Sequence, residues 1–384
     1  MNKQWDNFVK NIKELYNRDF IPLHEPTFTE QEVLYVTDCI KTGWVSSVGS
    51  YVSRFEEQLA KYVGVKRAVA VVNGTAALQI ALKVAGVKPN DEVLIPSLTF
   101  IATANAVSYL QAVPHFIDVN RQTLGVDPYK LAQYLESITE FRDNAAYNKF
   151  TNRKIKALVP MHTFGHACMM DEILSICEQY QLTLVEDAAE SLGSYYKGKY
   201  TGSFGTVNAV SFNGNKIITT GGGGAILTDD DSLADYAKHL TTTAKVTHKW
   251  EYVHDEIGYN YRMPNLNAAL GCAQLEKMNG FVAKKRQLTD IYKQIVNELE
   301  GVELFVEPEN CQSNYWLQTL IVDHSIDQQK ILQYLNEHGV MCRPIWMPIH
   351  KLAMYEHCPK MNLDVTESLS HQLINIPSSP IGVQ

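Results

Sequence analysis

The sequence of 384 residues lacks any long apolar run, since no stretch approaches the roughly 20 consecutive apolar residues of a membrane-spanning helix. It also lacks an excess of positive charge, because 34 Lys and Arg stand against 42 Asp and Glu and give a formal net charge of −8. The N-terminal segment has no apolar core typical of a signal peptide. We therefore expect a soluble, cytoplasmic protein with neither a nucleic acid nor a membrane as partner.

The pattern of the cysteines argues against two common kinds of site. The seven cysteines are scattered, odd in number and contain no Cys-x-x-Cys pair. This argues against a disulfide framework and against a zinc site, and favours free thiols in a reducing compartment. Hydrophobic residues make up 45% of the chain and charged residues 20%, which is ordinary globular composition. We predict no metal site.

The order of the predicted elements indicates an α/β protein. Between about residues 66 and 230, short β-branched runs alternate with amphipathic stretches, as in βαβ units. The predicted strands are 67–72, 92–95, 113–117, 155–160, 182–186, 209–212 and 224–228, and the predicted helices include 75–85, 102–110, 171–179 and 232–240. We expect a large domain over residues 1–274, with a mostly parallel seven-stranded sheet, and a smaller α+β domain over residues 275–384.

A lysine follows one of the predicted buried strands in the segment SFNGNKIITTGGGG. This residue, Lys216, is followed by a run of four glycines at 221–224. Lysine is seldom buried without a partner, and a desolvated lysine can act as a Schiff-base nucleophile or a general base. A surface lysine in a flexible glycine turn is an equally good interpretation of this segment alone.

Two other strand ends carry residues suited to binding a ligand. At Asn73-Gly74-Thr75 a strand ends and a helix begins, so the free amides of the first helical turn offer a phosphate site. An ordinary helix cap is the more frequent outcome for such a segment. Asp187 ends another apolar strand, where open α/β sheets bind ligands, and its carboxylate could hold a cationic ring nitrogen. Capping of the following helix is an equally good interpretation for Asp187.

Together the three segments predict a pyridoxal 5'-phosphate enzyme. Such an enzyme needs a phosphate site, a carboxylate for the pyridine nitrogen and a lysine for the aldehyde. Here these groups stand at three strand ends, near Thr75, Asp187 and Lys216. The combination is much less frequent by chance than any one segment.

The motifs NGTAAL, PSLTFIATANAV, VEDAAES, SFNGNK with GGGG, and GYNYRMPNLNAALGCAQL occur in this order. From about residue 21 onward the chain resembles the DegT/DnrJ/EryC1/StrS sugar aminotransferases, which have the fold of aspartate aminotransferase. The resemblance implies that Lys216 forms the Schiff base and that Asp187 pairs with the pyridine nitrogen. It implies further cofactor contacts from Gly74, Thr75, Ala76, Phe100, Glu190 and Ser211, and from Asn260 of the neighbouring subunit of a homodimer. Relatives often have His or Gln where Glu190 stands, near the phenolic oxygen of the cofactor.

The same resemblance implies the reaction. Position 216 is lysine and not the histidine of the related dehydratases, which favours transamination. The implied reaction moves an amino group from L-glutamate to C4 of a UDP-linked 4-keto-6-deoxy-N-acetylhexosamine, as in the bacillosamine and legionaminic acid pathways of polysaccharide biosynthesis. The alternatives are amination at C3, or amination at C4 of a GDP- or dTDP-linked sugar. A more distant alternative is a non-catalytic nucleotide-sugar binding or regulatory protein.

A sugar nucleotide carries a diphosphate, which needs cations on an acidic protein. Arg262 and Arg343 are the predicted substrate-binding arginines, although solvation at the surface is more common for either. His162 follows a buried strand and is a third substrate-binding candidate. A histidine packed in the core is the more frequent outcome at such a position.

Overall fold

The computed structural model describes residues 3–381. The α-helices are α1 (Lys3–Tyr16), α2 (Glu30–Thr42), α3 (Ser50–Val63), α4 (Gly74–Val84), α5 (Ile101–Tyr109), α6 (Pro128–Ile138), α7 (Met170–Tyr180), α8 (Asp231–Thr241), α9 (Asn265–Leu275), α10 (Met278–Val296), α11 (Gln328–Glu337) and α12 (Asp364–Ser370). The strands are β1 (Arg67–Val71), β2 (Glu92–Pro96), β3 (Val113–Ile117), β4 (Thr139–Arg142), β5 (Ala145–Asn148), β6 (Arg153–Leu158), β7 (Thr183–Leu184), β8 (Tyr195–Tyr196), β9 (Lys199–Tyr200), β10 (Asn208–Ser211), β11 (Gly224–Thr228), β12 (Val302–Leu304), β13 (Cys311–Gln312), β14 (Gln318–Val322), β15 (Arg343–Pro344) and β16 (Leu373–Ile376). None of the described helices combines the length and the apolar character needed to cross a membrane.

The central sheet has the strand order β3-β2-β6-β7-β10-β11-β1. Strands β3, β2, β6 and β7 run parallel, and parallel bridges from Asp187 to Met161 and to Ala209 continue the sheet to β10. Strand β11 is antiparallel to both β10 and β1. The prediction of a mostly parallel seven-stranded sheet is confirmed, and β11 is its antiparallel member.

Helices cover both faces of this sheet. Along β1, Val69 and Val71 belong to a core cluster with α4, α5 and α8, whereas Ala68 and Ala70 belong to the cluster with α3 and α9. This division follows from the two-residue period of a strand, which sends successive side chains to opposite faces. Because both faces are packed, the strands are apolar throughout, and this made them recognisable in the sequence.

The C-terminal elements form a second, four-stranded antiparallel sheet in the order β12-β14-β16-β15. Leu288 and Tyr292 of α10 pack in its core cluster together with Trp5 and Phe8 of α1. We propose that the smaller unit begins near residue 275. We also propose that α1 belongs to this smaller unit, because Trp5 and Phe8 pack in its core cluster. Residues 1–2 and 382–384 of the two predicted domain ranges lie outside the described residues.

The segment that follows β15 returns to the edge of the large sheet. The Phe116 amide on β3 donates to the Pro359 carbonyl (2.9 Å), and the Met361 amide donates to the Phe116 carbonyl (3.0 Å). Nearby, Ser97 Oγ lies 2.7 Å from His350 Nδ1. These contacts hold residues 350–361 against β3 and the end of β2.

Candidate active site

One cavity of about 380 Å³ lies where the parallel strands of the central sheet end. Residues following β1, β2, β6, β7 and β10 all contribute to its wall, as expected for the ligand crevice of an open α/β sheet. Eight of the sequence-predicted site residues line this cavity, namely Gly74, Thr75, Phe100, Asp187, Glu190, Ser211, Lys216 and Arg343. The structure thus brings together residues from segments far apart in the chain.

The N-terminus of α4 forms one end of the cavity. Asn73 caps the helix, because its Oδ1 accepts the Ala76 amide at 2.8 Å. The amides of Gly74 and Thr75 belong to the first turn and have no acceptor within the helix. A Cβ atom on Gly74 would lie 2.7 Å from Ser211 Cβ, so glycine here keeps the space beside the Ser211 hydroxyl open. Free amides, a hydroxyl and the positive end of a helix form a site suited to a phosphate.

Asp187 supplies a buried carboxylate on the same cavity. Asp187 is 6% exposed. The Thr103 hydroxyl donates to its Oδ2 at 2.7 Å, and the Ala189 amide donates to its Oδ1 at 3.2 Å. Burial raises the pKa of Asp187, whereas the Thr103 hydrogen bond acts in the opposite direction. A cationic ligand atom would stabilise the ionised form of such a carboxylate.

Lys216 projects into the cavity from the loop between β10 and β11. Its side chain is 13% exposed, and Nζ lies 3.2 Å from Glu190 Oε1. Nζ also lies 3.7 Å from the centroid of the Trp316 ring. Trp316 in turn donates from Nε1 to the Asn215 carbonyl at 2.7 Å, next to the lysine in the chain. Trp316 is a site residue that was not predicted from the sequence.

The two carboxylate oxygens of Glu190 have different partners. Its Oε2 accepts the Phe164 amide at 2.9 Å, and its Oε1 faces Lys216. Phe164 has φ 56°, a left-handed backbone conformation that bulky residues rarely adopt and that is often found at functional sites. Burial raises the pKa of Glu190 to about 7, although the positive charge of Lys216 lowers it.

Phe100, Trp316 and Trp346 contribute aromatic rings to the wall of the cavity. Phe100 is 49% exposed. Its ring centroid lies 6.1 Å from that of Trp346, which also packs against Phe164 at 5.4 Å. These rings offer apolar faces to a flat ligand.

His162, predicted to bind substrate, lies in the core instead of on the cavity. It is fully buried, and its Nε2 lies 2.9 Å from Glu186 Oε2. Its Nδ1 accepts the Cys168 amide at 3.1 Å, so the ring proton resides on Nε2 and points to Glu186. Both ring nitrogens of His162 are therefore used within the protein.

Three other predicted residues do not line the cavity of this chain. The amide of Ala76 is engaged by Asn73, so the structure does not present it to a phosphate. Asn260 is exposed and bridges to Thr242 in the backbone. Arg262 bridges to Val71, and its Nε is enclosed without a hydrogen-bond partner within residues 3–381.

The N-terminal segment brings a further histidine near Lys216. Both ring nitrogens of His24 are enclosed and have no hydrogen-bond partner in the described part of the chain. Burial, together with the charges of Lys285 and Lys216, holds the pKa of His24 well below its usual value. No local sequence signal identifies this residue, because nearly 200 positions separate it from Lys216.

Comparison with known proteins identifies the family of the chain. The model of the DegT/DnrJ/EryC1/StrS aminotransferase family matches residues 26–381. The chain is 37% identical to GDP-perosamine synthase of Escherichia coli O157:H7, with 94% of each chain covered. It is 40% identical to EpsN of Bacillus subtilis (strain 168), described as a pyridoxal phosphate-dependent aminotransferase, with 88% of this chain and 84% of EpsN covered.

Among solved structures, a DegT DnrJ EryC1 StrS aminotransferase from Brucella abortus matches with a TM-score of 0.83 and 26% identity. The match covers 92% of this chain and 91% of that one. These findings confirm the family and the fold predicted from the motifs. The chain therefore belongs to the DegT/DnrJ/EryC1/StrS aminotransferase family and is a sugar aminotransferase that depends on pyridoxal 5'-phosphate.

Proposed function

We propose that the protein moves an amino group from L-glutamate to C4 of a nucleotide-linked 4-keto-6-deoxy sugar, with a GDP-linked sugar as the favoured substrate. The observation that carries this proposal is the meeting of Lys216, Asp187 and the first turn of α4 in one cavity. The relatives named GDP-perosamine synthase, which include proteins of Escherichia coli and Vibrio cholerae, support GDP over the UDP predicted from the motifs.

The residues of the cavity fit the cofactor group by group. The amides of Gly74 and Thr75 and the Ser211 hydroxyl would hold its phosphate, in the space that glycine at position 74 leaves open. Asp187, whose pKa is raised in its buried setting, gains a cationic partner in the ring nitrogen. Phe100, with its exposed ring in the cavity wall, would stack on the cofactor.

When bound, pyridoxal phosphate supplies a ring that withdraws electrons from the reacting carbon. Lys216 supplies the amine that joins the cofactor covalently. Its Nζ is also the base that removes the α-proton of L-glutamate and later delivers a proton to C4 of the sugar. The buried setting excludes water, since only 13% of the Lys216 side chain is exposed.

Arg343 is the arginine that we propose for substrate binding in this chain. It lines the cavity beside Trp346 and lies on the exposed end of β15. A guanidinium there offers paired donors to a phosphate or a carboxylate. A role for Arg262 would require the neighbouring subunit, since it does not line the cavity of its own chain.

We further propose a cytoplasmic homodimer in which Asn260 completes the partner's site. Asn260 lies on the surface next to a segment with large exposed apolar side chains, Trp250, Tyr252 and Ile257. Subunit mixing tests this arrangement with two variants, Lys216→Ala and Asn260→Ala. Random pairing should restore about a quarter of the wild-type sites, because half of the dimers are mixed and each has one intact site. No recovery above the two parents would contradict shared sites.

Product analysis tests the reaction itself. The purified enzyme is incubated with L-glutamate and with GDP-, UDP- or dTDP-linked 4-keto-6-deoxy sugars, and the products are identified by mass and NMR. We expect 2-oxoglutarate and a 4-amino sugar, formed fastest from the GDP-linked substrate. Faster turnover of the UDP- or dTDP-linked sugar would overturn the nucleotide assignment, and an amino group at C3 would overturn the position.

A further inference from the structure

Glu190 contacts the amine of Lys216, which the proposed function takes as the reacting group. Its carboxyl group is nearly completely buried, with Oε1 at 3.2 Å from Lys216 Nζ and Oε2 accepting the Phe164 amide at 2.9 Å. One oxygen is thus anchored by the backbone, and the other is left to face the amine. This geometry suits an exchange of one proton along a single, fixed direction.

The other residue that contacts the Lys216 amine, Trp316, offers it no acceptor for a proton. Trp316 presents the face of its ring to Nζ, and its N–H is used by the Asn215 carbonyl. Within the described residues, Glu190 Oε1 is therefore the hydrogen-bond acceptor that Lys216 Nζ meets. The indole attracts the charged form of the amine without competing for its proton.

Three charged residues line the same cavity as Glu190. Lys216 approaches from the loop after β10, Asp187 lies at the end of β7, and Arg343 lines the cavity from β15. The oxygens of Asp187 already accept hydrogen bonds from the Thr103 hydroxyl and the Ala189 amide. Burial and the charge of Asp187 favour the protonated form of Glu190, whereas Lys216 favours the ionised form.

We propose that Glu190 is a proton carrier of the active site, which exchanges a proton with the Lys216 amine through Oε1. In the forward direction the O–H bond at Oε1 breaks and an N–H bond forms at Nζ, leaving a carboxylate and an ammonium. The reverse transfer restores the neutral pair, so protons and charge balance with no other reactant. The inference rests on the proposed function, because it takes Lys216 as the reacting amine.

Glutamine at this position provides a matched variant. Glu190→Gln keeps the shape of the side chain and an oxygen that can accept the Phe164 amide, but it cannot carry the proton. Because the side chain keeps its volume and its bond to the Phe164 amide, we expect the variant to fold. Near-UV circular dichroism checks that its packing matches that of the wild type.

Carboxyl NMR measures the proton directly and needs no turnover. The full chain is labelled with ¹³C at the glutamate Cδ and freed of cofactor, so that Lys216 carries a free amine. One resonance that is present in the wild type and missing from Glu190→Gln should titrate with a midpoint of about 7. In Lys216→Met the midpoint should move upward, since the positive charge that lowers the Glu190 pKa is gone. A midpoint near the ordinary glutamate value of about 4.3, or no upward movement in Lys216→Met, would overturn the proposal.

The pH dependence of turnover separates this inference from the proposed function. In Glu190→Gln, kcat should fall by about 10²-fold, and the inflection near pH 7 should disappear while KM stays unchanged. If Glu190→Gln keeps the wild-type kcat and pH profile while Lys216→Ala is inactive, the proton carrier is refuted and the aminotransferase function stands. If Lys216→Ala keeps turnover, the proposed function itself fails.

Discussion

The Nζ atom of Lys216 lies 3.7 Å from the centroid of the Trp316 ring, so an aromatic residue from the C-terminal part of the chain contacts the lysine that we propose as the reacting group. The indole N–H of Trp316 also donates to the Asn215 carbonyl at 2.7 Å. Trp316 therefore contacts both the amine and the backbone next to it. We infer that it positions Lys216 during the reaction.

Two substitutions at Trp316 separate these contacts. Trp316→Phe keeps an aromatic face but removes a hydrogen bond that contributes about 1 kcal/mol, so kcat should fall by about fivefold. Trp316→Leu also removes the cation–π contact, and kcat should fall by at least roughly 30-fold. Steady-state kinetics with thermal melts tests this, and equal kcat values in the Leu variant and the wild type would refute the positioning role.

Gly74→Ala tests the phosphate site. The added Cβ would lie 2.7 Å from Ser211 Cβ and 3.0 Å from its Oγ, so we expect the affinity for pyridoxal phosphate to fall at least about tenfold. The control is Gly280→Ala in α10, where a Cβ meets nothing within 4 Å. This control should stabilise the protein by about 0.5–1 kcal/mol and leave cofactor affinity unchanged. Absorbance titration of the cofactor-free chain with pyridoxal phosphate measures the affinity of both variants. Unchanged affinity in Gly74→Ala would place the phosphate elsewhere.

Thr103→Val tests the setting of Asp187. The Thr103 hydroxyl donates to the carboxylate at 2.7 Å, and its loss should raise the Asp187 pKa further. The acidic limb of the kcat/KM profile should then move to higher pH by about 1 unit, since a hydrogen bond to a charged group contributes about 1.5–3 kcal/mol. Thr103→Ser keeps the hydroxyl and should follow the wild type. Superimposable profiles for the Val and Ser variants would show that this hydrogen bond does not tune the site.

His166 affects stability at acidic pH. Its ring packs edge-on against Phe305 and Tyr315, and burial lowers its pKa to about 3. Above about pH 6.5 the ring is neutral in both the folded and the unfolded chain. As the pH falls below this value, His166 binds a proton in the unfolded chain but stays neutral in the folded chain. The free energy of unfolding therefore falls toward pH 3.

His166→Leu should remove this loss. Between pH 6 and pH 4 the free energy of unfolding of the wild type should fall faster than that of the variant, by about 1.4 kcal/mol per pH unit. Denaturant unfolding at pH 4, 5, 6 and 8 measures the difference. Parallel pH dependences for the two proteins would show that the folded protein accepts a charged ring at this position.

The central sheet was predictable because its strands are buried on both faces. Val113–Ile117 and Gly224–Thr228 form strands with the predicted bounds, and β1 differs by one residue. The hairpin of β4 and β5 was not predicted, since its strands are partly polar and Phe141 is exposed. Its turn at Asp143 and Asn144 has positive φ angles, which these two residue types tolerate and which a hairpin turn requires.

The parts of the site next to strand ends were predictable, because the local pattern determines where the chain turns. His162 shows the limit of such reasoning. A histidine after a buried strand can face either the cavity or the core, and here it meets Glu186, the neighbour of Asp187. Since successive residues of an extended segment point in opposite directions, Asp187 lines the cavity while Glu186 points into the core.

Contacts between distant segments could not be predicted from one sequence. Trp316 lies 100 positions after Lys216, and no motif at either residue indicates that they meet. The identity of the nucleotide is a similar case, because Arg343 offers the same donors to any sugar diphosphate.

Reduction of the holoenzyme with borohydride tests the central claim most directly, because it fixes the cofactor to the amine that holds it. Digestion and mass spectrometry then identify the modified residue. We predict that the cofactor is attached to Lys216 and that the label is lost in Lys216→Ala. Attachment to any other lysine, or a bound cofactor that borohydride does not fix, would contradict the account.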